Sequence, residues 1–267
     1  MWLPGDMFAP RHCGSRPAPT LRTNRILLPI ALVIGLVAAA CSSTATGTAV
    51  TTTIAPVVPE TVATTPTIPP DPDRPITTAG PVTGAADDDV RRFLAIPYAA
   101  PPVGERRFSP PQPPEPWTAD FAATTPGAAC PQVADLTASF TTLPEESSED
   151  CLTLDVVAPL DADGLPVMVW IHGGGLTSGS AHQPLFEGTT LAKQGVVVVN
   201  ITYRLGALGF RVTDGLSVEE GPTGNWGLQD QKLALEWVQD NIAGFGGDPG
   251  NVTIFGESAG GFSVCAL

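Results

Sequence analysis

Positive charge is scarce past residue 40, where nine Lys and Arg stand against 26 Asp and Glu, in a 267-residue chain of formal net charge −14. A surface of that sign repels phosphate backbones and anionic lipid head groups, which excludes nucleic acid as a partner and disfavours adsorption to a membrane. Histidine is also rare, with His12, His172 and His182 the only three, and cysteine numbers five. There is no clustered His/Cys set of the kind that holds a metal, and no dinucleotide-binding glycine loop, so no metal and no organic cofactor is expected. The longest apolar run near the start, Ile26 to Ala40, falls short of the roughly 20 residues a membrane-spanning helix needs. Charged residues make up only 15% of the chain and hydrophobic ones 43%, so most of it is expected to fold around a core.

What is present at the start has the order of an export signal. Arg11, Arg16, Arg22 and Arg25 precede the apolar run, which ends in Ala38, Ala39 and Ala40. Basic, apolar and then small residues make a secretory signal over 1–40. Cys41 follows at once and resembles the lipidated first residue of bacterial lipoproteins, although Ala38 stands where that motif usually has Leu. Two readings stay open: lipidation at Cys41 with attachment to the bacterial cell surface, or ordinary cleavage nearby and release as a soluble secreted protein. From Ser42 to about Asp73 the composition is Thr, Pro, Ala, Ser and Val without helical or strand period. Such a stretch buries too little surface to offset the entropy of ordering, so 41–75 reads as a disordered tether.

The folded part is expected over 76–267. Val82 to Tyr98 alternates loosely among Gly and Asp clusters, as short antiparallel strands joined by turns do. Cys130 and Cys151 lie 21 positions apart in an exported chain, where a bridge closing that loop would contribute about 3 kcal/mol; two separate thiols are the alternative. The pattern then changes to uninterrupted apolar runs: LPVMVWIH from Leu165, VVVVNITY from Val196 and VTIF from Val252. Runs of this kind are buried on both faces, as in a parallel sheet. Between the last two lies Asn225 to Asn241, with Leu228, Leu233, Leu235, Trp237 and Val238 at near-helical spacing. Strand, helix, strand is a right-handed βαβ unit, and the class is α/β.

The chemistry concentrates in two glycine-rich motifs. Gly256-Glu257-Ser258-Ala259-Gly260 follows a buried strand, which is the setting of a nucleophile elbow. There a strained strand-to-helix turn raises the Ser hydroxyl above the sheet, and the flanking glycines let strand and helix pass closely. His172-Gly173-Gly174-Gly175 sits at the end of an earlier strand, where bare backbone N–H groups can converge on an oxyanion together with the N–H of Ala259. His172 itself reads as structural, His182 as a surface loop residue, and Cys265 as a buried apolar residue of the helix that begins near Gly260.

Five stretches carry a family resemblance: FLAIPYAAPPVGERRF from Phe93, EDCLTLDV from Glu149, YRLGALGF from Tyr203, GNWGLQD from Gly224, and FGGDPGNVTIFGESAGG from Phe245. In that order they resemble the type-B carboxylesterase family, which includes cholinesterase-like enzymes. The resemblance implies an α/β-hydrolase fold, with the N-terminal part of a mostly parallel central sheet and a small N-terminal antiparallel sheet. It implies Ser258 as the acylated nucleophile and Gly174, Gly175 and Ala259 as oxyanion donors, with a small-molecule ester as substrate. It also implies a Cys130–Cys151 disulfide, an Arg107–Glu149 ion pair, and at Glu257 a buried acidic residue that supports the catalytic His indirectly. Leu176 departs from the Phe often found after the third glycine, so the acyl pocket is expected to differ in shape.

A serine of this kind needs a His base oriented by an acidic residue, in the chain order Ser, Asp or Glu, His. All three histidines precede Ser258. The expectation is therefore an N-terminal fragment of a serine esterase that lacks both partners, has little or no activity by itself, and exposes an apolar sheet edge. A non-catalytic esterase-like surface binding protein and a truncated gene product are the competing readings. Neither the preferred ester nor the oligomeric state is legible in the sequence.

Overall fold

The structure is a computed structural model and describes residues 71–132, 146–212 and 224–267. All belong to the unit spanning residues 68–267. The signal at 1–40, Cys41 and most of the Thr/Pro-rich stretch lie outside the described residues. Contacts among the described residues extend ahead of Ile76: Asp73 accepts from Arg91 at 2.7 Å, and Arg74 pairs with Asp120.

Six strands form one sheet in the order β2-β3-β5-β7-β6-β8. They are β2 (Ala85–Ala86), β3 (Val90–Pro97), β5 (Thr153–Pro159), β6 (Leu165–Ile171), β7 (Val197–Ile201) and β8 (Gly247–Gly256). The three uninterrupted apolar runs became β6, β7 and β8, with β6 parallel to both of the others. The helix expected between the last two runs is α3 (Trp226–Asn241). The short helices α1 (Thr189–Ala192) and α2 (Gly206–Phe210) precede it, and α4 (Ala259–Ala266) follows β8.

The described N-terminal part of the sheet is mixed: β2–β3, β3–β5 and β5–β7 pair antiparallel, and β6 is parallel to β7 and β8. The antiparallel N-terminal strands are part of this sheet, and the separate two-stranded piece, β1 (Val82–Thr83) with β4 (Phe121–Ala122), is parallel. In β3, Val90, Phe93 and Ile96 are buried three apart rather than two. A register shift between Phe93 and Ile96 absorbs the difference, with Ala95 in left-handed backbone at φ 55°. The bulge keeps Phe93 and Ile96 in one core while β3 pairs along most of β5.

Val167, Val169 and Ile171 of β6, with Val197, Val199 and Ile201 of β7, are fully buried in one cluster with Ala234, Trp237 and Val238 of α3. A second, smaller cluster joins Val90, Val157, Val198 and Ala192 of α1. The buried stripe of α3 differs from the leucine ladder: Leu228, Leu233 and Leu235 are half-buried, whereas Asp230, Gln231 and Asn241 are inside. Asn241 is accommodated because its amide donates to Trp237 O at 2.8 Å and accepts from Thr78 N at 2.7 Å. Asp230 receives Arg204 Nε at 2.9 Å, Arg204 Nη2 at 2.8 Å and the Arg204 backbone N–H at 3.0 Å. The guanidinium also donates to Ser109 O at 2.9 Å. Burial pushes the Asp230 carboxyl up, and the hydrogen bonds from Arg204 pull against it. Tyr98 and Tyr203 are likewise buried, their hydroxyls donating to Thr202 O and His172 O at 2.7 Å each.

Breaking one half of a buried ion pair strands the other charge, so Asp230→Ala should lower unfolding stability by about 3–5 kcal/mol in urea titration. The double variant Arg204→Met/Asp230→Leu should recover most of that loss, because no charge is then left unpaired.

Candidate active site

Strand β8 ends at Gly256 and α4 begins at Ala259, so two residues turn the chain. Ser258 takes φ 53° and ψ −119°, a conformation that costs a non-glycine residue about 1–3 kcal/mol. Its side chain is exposed, while Ala259 behind it is buried. The strain follows from how tightly the two elements cross. A Cβ on Gly260 would lie 2.0 Å from Ile171 O, and one on Gly256 would lie 2.6 Å from the Gly260 carbonyl carbon. The first N–H groups of α4 lack intrahelical acceptors and point toward the Ser258 end.

The second motif meets the first. Ile171 closes β6, and Gly173 beyond it is seated against the elbow: a Cβ there would lie 2.8 Å from Glu257 O and 3.2 Å from Ser258 Cβ. Gly174 and Gly175 are exposed, at φ 104° and 64°. The turn they form is closed by the backbone N–H groups of Thr177 and Ser178, each donating to Gly174 O at 3.0 Å. Gly173 and Ser258, 85 positions apart, are thus in contact; Gly174 and Ala259 adjoin them in the chain, and Gly175 follows Gly174.

His172 is buried beneath this loop, stacked on Tyr203 with ring centroids 4.4 Å apart. Its Nδ1 lies 2.8 Å from Gly173 O, which fixes the tautomer carrying the proton there; Nε2 has no partner among the described residues. Burial drives its pKa down to about 4. His172 is thus a neutral structural ring, as its setting in the motif implied.

His182 is not a surface residue. Its side chain is fully buried, with Nδ1 2.8 Å from Asp155 Oδ2 and Nε2 3.2 Å from Thr153 Oγ1. Asp155 Oδ1 accepts the N–H of Ala95 at the β3 bulge. An acidic residue in the middle of β5, a strand not foreseen, draws the histidine inward. Neither His172 nor His182 bonds to Ser258, and His12 lies outside the described residues.

Cys130 and Cys151 are bridged. Arg107 and Glu149 form a two-pronged ion pair at 2.6 and 2.7 Å. Two other expectations fail. Glu257 is exposed among the described residues, at the tip of the elbow after β8. Cys265 is exposed too, since α4 buries Ala259, Gly260 and Ser263 on its other face. Gln132 carried no signal in the sequence, yet its side-chain amide bonds the backbone of Gly179, at the far end of the glycine loop.

A profile of the carboxylesterase family matches residues 72–267. The chain belongs to the carboxylesterase family. Para-nitrobenzyl esterase of Bacillus subtilis (strain 168) is 51% identical over 191 residues, covering 70% of this chain and 38% of that protein. Carboxylesterase 1D of Rattus norvegicus is 53% identical over 187 residues, covering 66% and 32% respectively. Among solved structures, a PNB esterase superimposes with a TM-score of 0.69 at 48% identity, over 73% of this chain and 40% of that one. A thermophilic PNB esterase gives 0.68 at 48% identity, over 73% and 41%. The fold is that of an α/β-hydrolase, and this carboxylesterase-family chain spans about a third to two fifths of the length of these relatives.

Two outcomes follow. Gly260→Ala should lower stability by about 3 kcal/mol or more, because backbone cannot yield to the new Cβ, whereas Gly261→Ala should stay within about 1 kcal/mol of wild type; urea titration compares them. For His172, the folded pKa lies below the unfolded value of about 6.5, so the unfolded state binds the extra proton. That contribution is complete above about pH 6.5 and shrinks as pH falls toward 4, a loss on the order of 3 kcal/mol across that window. Unfolding titrations from pH 4.5 to 7.5 should show this slope in wild type and a shallower one in His172→Gln.

Proposed function

We propose that this chain carries the nucleophile and oxyanion half of a serine carboxylic ester hydrolase that acts on small-molecule esters. The observation that carries the reading is Ser258, held exposed in strained backbone with the Gly173 loop seated against it. In the proposed reaction Ser258 Oγ gives up its proton to a base and attacks the ester carbonyl. The carbonyl oxygen takes up the negative charge, facing the N–H groups of Gly174, Gly175 and Ala259. Collapse of this intermediate breaks the bond to the alcohol, which leaves with a proton, and the acyl group remains on Ser258. Water then repeats the attack, releases the carboxylic acid and restores the serine. Each oxyanion donor contributes about 10²–10³ in kcat in comparable enzymes. No histidine among the described residues reaches Ser258, so the base is supplied from outside them. Family membership at about half identity supports the reaction class, and the exposed serine supports its assignment here.

The domain is proposed to work outside the cytoplasm, held by a lipid on Cys41 through the stretch 41–75, after removal of 1–40. The basic–apolar–small order ahead of Cys41 supports this. No helix among the described residues is long and apolar enough to cross a membrane.

One preparation tests both parts. The protein purified from a bacterial host together with the segment that supplies the base is expected to partition into detergent and to take up a fluorophosphonate probe at Ser258, with peptide mass mapping the adduct. Ser258→Ala should lose the label and Cys41→Ala the partitioning. An adduct elsewhere, or none, overturns the hydrolase assignment; wild-type partitioning into water overturns the anchor.

A further inference from the structure

We infer that Gln132 is the positioning residue of the oxyanion loop, acting through the backbone of Gly179. Gly173, Gly174 and Gly175 have no side chains, so nothing of their own fixes the direction of their N–H groups, and two of the three are exposed. The N-terminal end is held well, by the Tyr203 hydroxyl on His172 O and by the stacked rings. At the other end, Gly179 N–H donates to Gln132 Oε1 and Gly179 O accepts from Gln132 Nε2, both at 2.9 Å. The second proton of Nε2 goes to Cys130 O at 3.1 Å, inside the bridged pair. Three backbone groups thus engage one amide, and both of its donor protons are used.

Gly179 transmits the constraint. A Cβ there would fall 2.3 Å from His172 Nδ1 and 2.7 Å from Gly173 O, so Gly179 is wedged between Gln132 and the first part of the loop. Gly173 in turn abuts Ser258. The path from Gln132 to Gly179, Gly173 and Ser258 consists of direct contacts throughout. Gln132 touches no reacting atom; it sets where the donors stand. No other side chain bonds the Gly179 backbone among the described residues; elsewhere in the loop, Gly174 O accepts from the Thr177 and Ser178 hydroxyls and Leu176 O from the Gly206 N–H at 2.7 Å.

The catalytic part of this inference rests on the hydrolase reading; the mechanical part does not. Two variants test it in protein that includes the segment supplying the base. Gln132→Ala removes the clasp, and Gln132→Glu keeps the shape while removing both donor protons, which leaves Gly179 O and Cys130 O facing a carboxylate. In hydrogen exchange, the amides of 173–179 should exchange at least about tenfold faster in both variants, with those of α3 unchanged. In inactivation by a fluorophosphonate, the maximal rate constant should fall by at least about tenfold while the half-saturating concentration stays within about twofold, as expected for misplaced donors and intact binding. A purely structural role would lower the melting temperature and leave the rate constant of the folded fraction alone. Unchanged loop exchange in both variants overturns the inference, as does an unchanged maximal rate constant. If wild type takes no label, the hydrolase reading falls and exchange alone decides the clasp. If Gln132→Ala does not fold, Gln132→Glu carries both measurements.

Discussion

The structure depends on a place where two backbones cross with no side chain between them. Gly256 and Gly260 face each other across the turn that holds Ser258, and both press on the carbonyl of Ile171. That contact fixes the spacing of β8 and β6, which run parallel with Ile171 opposite Gly256. It also sets where the chain leaves β6, and so places Gly173 against Ser258. A methyl group at either glycine would part the sheet from the helix and the serine from the loop together. The strain at Ser258 persists because this crossing leaves the turn no other route.

Around that crossing the core is organised by polar groups as much as by apolar ones. Arg204 and Asp230 tie the end of β7 to α3 and to the loop at Ser109. His182 and Asp155 tie the segment after the glycine loop to β5 and, through Ala95, to the bulge in β3. Each is a desolvated arrangement in which the donors and acceptors are mostly matched, so the net gain in stability is small and the gain in uniqueness of register is larger. The apolar clusters supply the bulk of the driving force, and the polar ties determine which loop lies where.

What could be read from the sequence and what could not divides along the same line. The runs that became β6, β7 and β8 were legible because strands covered on both faces are apolar at every position. The two glycine motifs were legible because close backbone approach leaves a signature in residue type. Strand β5 was missed since Asp155 interrupts its apolar pattern, and the interruption makes sense only with His182, 27 positions away. The buried stripe of α3 was misread for a similar reason: Asp230 and Asn241 count as surface residues until Arg204 and Thr78 are brought to them. Gln132 was invisible because its partner is the backbone of a glycine 47 positions later. Polar burial is a property of pairs distant in sequence, and a periodicity read along one segment does not contain it.

The two tyrosines have an optical consequence. Tyr98 and Tyr203 are the whole complement of the chain, and burial raises the pKa of both phenols, Tyr98 well above its ordinary value. Neither hydroxyl is free to ionise, because each donates its proton to a backbone carbonyl in the core. The folded protein therefore holds those protons more tightly than the unfolded chain does. The tyrosines' contribution to stability is undiminished below about pH 10 and declines as alkali is added beyond that point. Phenolate absorbance then appears only as molecules unfold, so the ultraviolet spectrum in base registers the state of the core beside the glycine loop without any added dye.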